Sequence, residues 1–416
     1  MTQNRRRRGM GLAAIGAAGI LAFTGCAAGD TGGSSDTTTL TVWHYYNTDG
    51  QVEALQKLAD SFTADHPDVK VQFEYVPVDQ FTTKAVTAAG AQTGPDVLVY
   101  GASGTYSLAE AGAIEPMDDW WGAYADRDQF PEGVMQKVDG KLYGVQGYVN
   151  LLGLWYNQDM LDEIGGDVPT TVAELEAVMQ KAADAGHQGI TLTGKPGLES
   201  QWQGFPWFTS HGFSYGDPQA APMADTYTML QDWVAKGYLS REASTWDQTV
   251  PFQQFAAGAS AFAVNGNWQI AAAKEASFAY GVAPLPISSD GGVLLGGEVQ
   301  NVGAFSKNKE LAQEFLESTF FSVDGELTLL EHFGSIPARA DASSNAKIGD
   351  DPILSVFADI VQQQGRPSPS PEVPSKNVNE VEGLVGDFWS KAVAGDGTPQ
   401  QLADDLITQL VPLLKG

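Results

Sequence analysis

The chain has 416 residues, with 23 Lys or Arg against 51 Asp or Glu, and its formal net charge is −28. That length allows two or three domains of roughly 100–200 residues, each with a real core. The acidity excludes a surface that binds nucleic acid or anionic lipid through clustered bases, and a single cysteine excludes an internal disulfide or a cysteine-based zinc cluster. At 10% aromatic residues and a mean hydropathy of −0.17, the chain is neither disordered nor a membrane bundle.

Arg5 to Arg8 precede an apolar stretch from Met10 to Thr24. At about 15 residues it is shorter than the roughly 20 that span a bilayer, so residues 1–25 read as a signal peptide. Ala22, Phe23, Thr24 and Gly25 lead into Cys26, and the series resembles the lipobox of bacterial lipoproteins, with Phe23 where Leu, Val or Ile is usual. The resemblance implies that Cys26 is lipidated and becomes the mature N-terminus; a plain signal peptide with an incidental cysteine is the alternative. Cleavage there removes four arginines and no acid, leaving 19 bases against 51 acids and a net charge of −32. Residues 26–39 are small and polar, as suits a tether.

Folding is expected to start at Leu40, in a strand that ends at the turn signal Asn47–Gly50. Thr48 and Gln51 have capping-box spacing, and Val52, Leu55, Ala59 and Phe62 recur at helical period up to Pro67. Val69, Val71, Phe73 and Tyr75 alternate with polar residues as in a half-buried strand. A helix from Gln80 to Ala89 and a strand from Asp96 to Tyr100 follow, and the alternation predicts an α/β fold with a parallel sheet. A second unit starts at Thr171 and Glu174, another capping-box pair, with the strand Gly189–Gly194 after it. Arg366–Asn377 reads as a Pro/Ser loop and Pro399–Leu414 as a closing amphipathic helix.

Several segments together resemble the sugar-binding proteins of bacterial ABC importers, the maltose-binding-protein-like solute-binding proteins of family 1. They are Leu40–Gly50, Ala59–Pro77, Thr93–Met117, Asp139–Leu161, Pro169–Leu175, Phe255–Ile270, Tyr280–Pro286, Gly296–Asn308 and Phe333–Ala342, in order over nearly the whole mature chain. The resemblance implies a two-lobed periplasmic-binding-protein-like fold with the ligand cleft between the lobes. Residues 40–149 plus 297–345 would form lobe one, and 150–296 plus 346–416 lobe two. It also implies a carbohydrate ligand, delivery to the transmembrane permease of an ABC importer, attachment to the outer face of the cell membrane through the lipid alone, and action as a monomer without a cofactor.

Open parallel sheets bind ligands beyond the carboxyl ends of their strands, and this rule selects His44–Asp49 and Gly101–Thr105 independently of any family. Sugar recognition needs aromatic faces for the apolar C–H patches of the ring and planar polar groups for its hydroxyls. The chain offers ten Trp and thirteen Tyr, many beside amides or acids. Trp268 is the leading candidate, because the resemblance places an aromatic that stacks on sugar there, with Asn267 beside it; a core tryptophan is the alternative. Asn150 stands at a crossing-segment position that often carries a hydrogen-bonding acid in the family. Tyr46, Asn47 and Asp49 lie on the first loop, although Asp49 serves equally as a helix entry. Ser103 and Thr105 either contact ligand or cap a helix. Trp202 and Gln203 fall where the family places lobe-two contacts, and Trp246 with Asp247 forms an aromatic–acid pair. Glu298 follows a Gly–Gly pair that permits close backbone approach. Arg339 either donates to ligand or makes a structural ion pair. Trp43, Trp155 and Trp207 read as core, and Asp118–Trp121 as a surface feature of lobe one.

A secreted carbohydrate-active enzyme is the competing reading, since 51 acids make carboxylate pairs unavoidable. No G-x-S-x-G, HExxH or P-loop motif supports it. The five histidines are never spaced three or four apart, so no helix-borne metal pair is expected.

Overall fold

The computed structural model describes residues 37–415. The predicted signal peptide, Cys26 and most of the tether lie outside the described residues. Ten strands form the two main sheets: β1 Thr38–His44, β2 Val69–Tyr75, β3 Val97–Gly101, β4 Met135–Val138, β5 Lys141–Gln146, β6 Leu152–Asn157, β7 Gln188–Thr191, β8 Ser260–Gly266, β9 Tyr280–Ala283 and β10 Glu298–Val302. The first sheet has the order β2-β1-β3-β10-β5-β4 and the second β9-β6-β8-β7, each within a layer of helices, which makes the two-lobed α/β fold.

In the first lobe, β2, β1 and β3 run parallel, joined by right-sized helical crossovers. The Asp49–Asp65 helix starts with both arms of the Thr48/Gln51 capping box in place and buries Leu55, Leu58 and Phe62. β1 begins at Thr38, two residues before the expected Leu40, because Thr38 N–H donates to the Asp68 carbonyl (2.9 Å) and pairs in register with Val69. β2 is the edge strand, which leaves Tyr75 50% exposed at its carboxyl end. The Thr171/Glu174 pair differs from its expected form. Thr171 Oγ1 accepts from Glu174 N–H, but the Glu174 carboxylate turns to the N–H and hydroxyl of Thr170 (2.8 Å each). Trp121 is a correction to the surface reading of its segment: it is buried, edge-on to Phe130 and Phe321. Trp43, Trp155 and Trp207 are core residues, as expected from their apolar neighbours.

Three segments carry the chain between the sheets. The first leaves β5 and reaches β6 through Gly147–Leu151, and the second returns through Gly296–Gly297 into β10, which inserts antiparallel between β3 and β5. These two pair with each other: Asn150 N–H donates to Gly296 O (3.0 Å) and Gly296 N–H to Asn150 O (2.8 Å). Ile336–Pro337, on the approach to the third passage, pairs antiparallel with Tyr148–Val149. Beyond it, the Val378–Ala394 helix packs on the Leu198–Ser210 helix, with the Trp389 ring against Gly204 and its indole N–H donating to Thr193 O (2.9 Å). The Pro399–Leu414 helix closes the lobe within the expected limits.

Candidate ligand-binding cleft

Between the two sheets lies a cleft of about 1200 Å³, counted to its open mouth. From the first lobe it is lined by Tyr45, Asn47, Thr48 and Gln51 after β1, by Tyr75 and Val78 after β2, and by Gly101, Ala102 and Ser103 after β3. All three groups sit at carboxyl ends of parallel strands, where backbone N–H groups and short loops face outward together. The crossings supply Asn150, Gly296 and Gly297, with Glu298 directly after them. From the second lobe come Glu199, Gln201 and Trp202 on one helix, Asp247 to Thr249, Trp268 and Gln269 after β8, Ser368, and Glu382.

The two tryptophans are seated on glycine. A Cβ at Gly266 would collide with the Trp268 ring, and one at Gly296 with the Trp202 ring. Each indole therefore sits against bare backbone and stays half-buried, lining the cleft. Gly297 has φ +123°, a conformation that costs glycine nothing, and a Cβ there would also strike the Tyr148 carbonyl.

A buried polar cluster lies beneath the first-lobe wall. Tyr148 donates its hydroxyl to Glu298 Oε2, the Tyr46 hydroxyl bonds that of Tyr148, and Tyr45 reaches Glu298 from the cleft side. The Asn150 amide donates to Glu298 at 3.5 Å. Burial pushes the Glu298 carboxyl up to about 7, against which the Tyr45 hydroxyl bond pulls down. Across the cleft, burial likewise pushes Glu382 up to about 8, opposed by its hydrogen bond to Ser103. Glu199 is raised by burial while accepting from Gln248 N–H (2.9 Å). His44, behind the wall, is lowered to about 4 by burial and is uncharged at neutral pH.

The cleft brings together Asn47, Ser103, Asn150, Trp202, Asp247, Trp268 and Glu298 among the residues expected there. Seven others lie elsewhere, each for a local reason. Tyr46 is 1% exposed because it points from the end of β1 into the core, and its neighbour Tyr45 takes the cleft side. Asp49 is a solvent-exposed first-turn residue of its helix. Thr105 is buried beside Tyr100, and neither it nor Ser103 caps the short helix from Thr105 to Glu110. Gln203 is fully buried in the second lobe, one position past Trp202, where it accepts from Thr193 N–H (3.4 Å). Trp246 packs on the core and gives its carbonyl to Gly194 and Lys195 N–H. Asn267 holds the crossings: it accepts from Leu151 N–H (2.8 Å) and donates to Asn150 Oδ1 (2.9 Å) and Gly334 O (2.7 Å). Arg339 is the structural ion-pair residue, 3% exposed and bound to Asp341 (2.7 Å), Asp126 (3.1 Å) and the Phe321 carbonyl.

Tyr75, Gln51, Gln248, Gln269 and Glu382 line the cleft without having been expected in it. Tyr75 carried a usable signal, since it ends a parallel strand. Glu382 carried none, because it lies on a late helix with no strand or motif beside it. A second groove of about 1720 Å³ opens from the cleft, shares Val78, Leu198 and Glu199 with it, and carries Lys195 and Lys376.

Residues 57–356 match the family model of bacterial extracellular solute-binding proteins. The chain belongs to that family. Among curated members it is 26% identical to the maltotriose-binding protein of Pyrococcus abyssi, over 77% of this chain and 71% of that one. It is also 26% identical to the galactooligosaccharide-binding protein of Bacillus subtilis, over 83% of this chain and 82% of that one. In fold it is similar to the GacH receptor of Streptomyces glaucescens, solved unliganded and with acarbose, at a TM-score of 0.80 and 24% identity over 91% of this chain and 99% of that one. The maltose/maltodextrin-binding domain of Bdellovibrio bacteriovorus, solved with maltotriose, gives a TM-score of 0.76 at 20% identity over 91% and 100% of the two chains.

Proposed function

We propose that this solute-binding protein is the carbohydrate-binding component of an ABC importer, and that its ligand is a di- or oligosaccharide. The observation that carries the reading is the cleft wall: Trp202 and Trp268 laid on glycine backbone, Tyr45 and Tyr75 opposite, and amides and carboxyls between them. Aromatic faces cover the C–H patches of a pyranose, and the planar polar groups meet its hydroxyls. Covering one such ring with sugar contributes roughly 1.5–3 kcal/mol of apolar transfer. The adjoining groove gives room for rings beyond the first. Curated relatives are named for binding oligosaccharides, which supports the same class of ligand.

The lobes proposed are residues 38–149 with 297–345, and 150–296 with 346–415; the membership of the two sheets supports them. Ligand draws them together about the paired crossings, and the closed form docks on the permease. Ser103 with Glu382 and Ser107 with Asn379 (3.3 Å) are contacts across the closed cleft. Cys26 would carry the lipid that keeps a monomer at the outer membrane face. Substitution Cys26→Ser, with release of the protein into the medium as the readout, tests the anchor.

A thermal-shift screen against mono- and oligosaccharides tests the function. A ligand at 100 times its Kd adds about 2.7 kcal/mol of stability. Trp268→Ala is expected to weaken affinity tenfold or more with the fold retained, read by calorimetry. Unchanged affinity would remove Trp268 from the site, and silence across a broad panel would remove the carbohydrate reading.

A further inference from the structure

Ser368 is the one cleft residue of the Pro/Ser-rich stretch Arg366–Asn377, and most of that stretch has no role in the site. It is fastened to the second lobe at both ends and in the middle. Gly365–Pro367 pairs in parallel with Val293–Leu295, and Arg366 donates to the Gly291 carbonyl (3.0 Å). The Glu372 carboxylate accepts from the Ser214 hydroxyl (3.0 Å) and from Gly216 N–H (3.1 Å). Val373 is buried, and the Asn377 amide donates to the Leu413 carbonyl. Pro367, Pro369, Pro371 and Pro374 fix φ along the stretch, which leaves it little backbone freedom to lose.

Beyond these anchors the same piece of chain reaches the first lobe. The Gln136 amide on β4 donates to Ser368 O (3.3 Å). The Ser375–Asn377 turn packs on the Thr105–Glu110 helix, and the Val378–Ala394 helix on Ala102–Gly104 at the carboxyl end of β3. There the Asn379 amide donates to the Ser107 hydroxyl (3.3 Å), and Ser103 bonds Glu382. Ser103 and Ser107 are four positions apart, and Asn379 and Glu382 three, so each lobe presents its two groups about one helical turn apart.

A hydrogen bond made only when the lobes are together favours the closed state whatever the ligand is. Apparent affinity then carries the closed fraction as a factor common to all ligands. A surface that is already ordered loses less freedom on docking, which is what the prolines and the Glu372 anchor supply.

We propose that Arg366–Asn377 and the first turn of the helix after it form a preset strap that latches the lobes together through Ser107–Asn379 and Gln136–Ser368. The strap raises affinity for every ligand by one factor and does not choose among them. The inference rests on the closure proposed above and is independent of which sugar is bound. Ser107, Asn379 and Glu372 are positioning residues in it.

Ser107 and Asn379 also line the adjoining groove, so the test must separate a latch from a sugar contact. Calorimetry on every saccharide that binds, from one ring upward, does so, with each variant checked for fold by circular dichroism. Ser107→Ala and Asn379→Ala are each expected to weaken all of them by one common factor, about two- to tenfold for the loss of one hydrogen bond. The double variant should lose no more than the larger single, because both remove the same bond. Glu372→Ala touches neither cleft nor groove but frees the middle of the strap, and it is expected to weaken all ligands uniformly, at least twofold. A factor that changes with the ligand makes Ser107 and Asn379 sugar contacts and overturns the latch. Losses that add in the double variant, or an unchanged affinity in Glu372→Ala, overturn it too. If no saccharide binds, the carbohydrate reading fails by itself, and small-angle scattering of the ligand-free wild type and double variant decides the latch. A larger radius of gyration in the variant supports it, and equal radii overturn it.

Discussion

Asn267→Ala separates a residue that holds the crossings from one that touches ligand. The Asn267 side chain is fully buried and makes three hydrogen bonds of 2.7–2.9 Å to Leu151 N–H, Asn150 Oδ1 and Gly334 O. Alanine removes all three and leaves one backbone donor and one backbone acceptor buried without partners. Each such orphan costs about 1–3 kcal/mol, while Asn150 lines the cleft, where water can replace the donor its Oδ1 loses, so the expected loss is about 3–4 kcal/mol. Urea unfolding followed by tryptophan fluorescence reads the value from the shift in midpoint at constant slope. Asn267→Asp sharpens the test, because its carboxylate keeps the bond from Leu151 but sets a second acceptor against Gly334 O. Its deficit should shrink as the pH falls and the carboxyl takes up a proton. A loss below about 1 kcal/mol for Asn267→Ala, with affinity reduced, would refute the reasoning and return Asn267 to the ligand.

Three further outcomes follow from the same geometry. Arg339→Ala should cost about 1.5–3 kcal/mol, since it removes charge-assisted bonds to the half-exposed Asp126 and Asp341 while the Tyr124 hydroxyl still donates to the Phe321 carbonyl, and should leave ligand affinity unchanged in calorimetry. Gly296→Ala forces a methyl into the Trp202 ring and should cost about 1–3 kcal/mol in urea titration, with weaker binding as the indole shifts. Glu298, raised to about 7, binds its proton more tightly in the folded than in the unfolded chain, so its effect is stability lost as pH rises from the ordinary carboxyl range through 7. That slope is at most about 1.4 kcal/mol per pH unit, and Glu298→Gln should flatten it.

Much of the first lobe was legible because its signals are local. The Thr48/Gln51 box, the alternation of β2 and the apolar β3 all depend on neighbours in sequence, and the strand-end rule then located two walls of the cleft. What escaped was parity and distance. Tyr45 against Tyr46, Trp202 against Gln203 and Trp268 against Asn267 each turn on which way the backbone faces one residue past a regular element, and composition is the same either way. β10 reaches its place between β3 and β5 only through a connection of more than a hundred residues, and Glu382 enters the cleft because its helix, late in the chain, packs on the Leu198–Ser210 helix. Arg339 offered donors suited to a hydroxyl or an acid, and only the fold shows Asp126 and Asp341 already in possession of them.

The pairing of Asn150 with Gly296 makes the joint between the lobes a ribbon rather than a set of separate strings. A ribbon bends across its width far more easily than it shears along its length, because sliding would break both backbone hydrogen bonds at once. In the closure proposed above, such a joint would favour bending about one axis over sliding, so the two walls would meet in one alignment. A ligand caught by one lobe would then be offered to the other in one orientation, and its stereochemistry would be read by the axis of the motion as well as by the side chains.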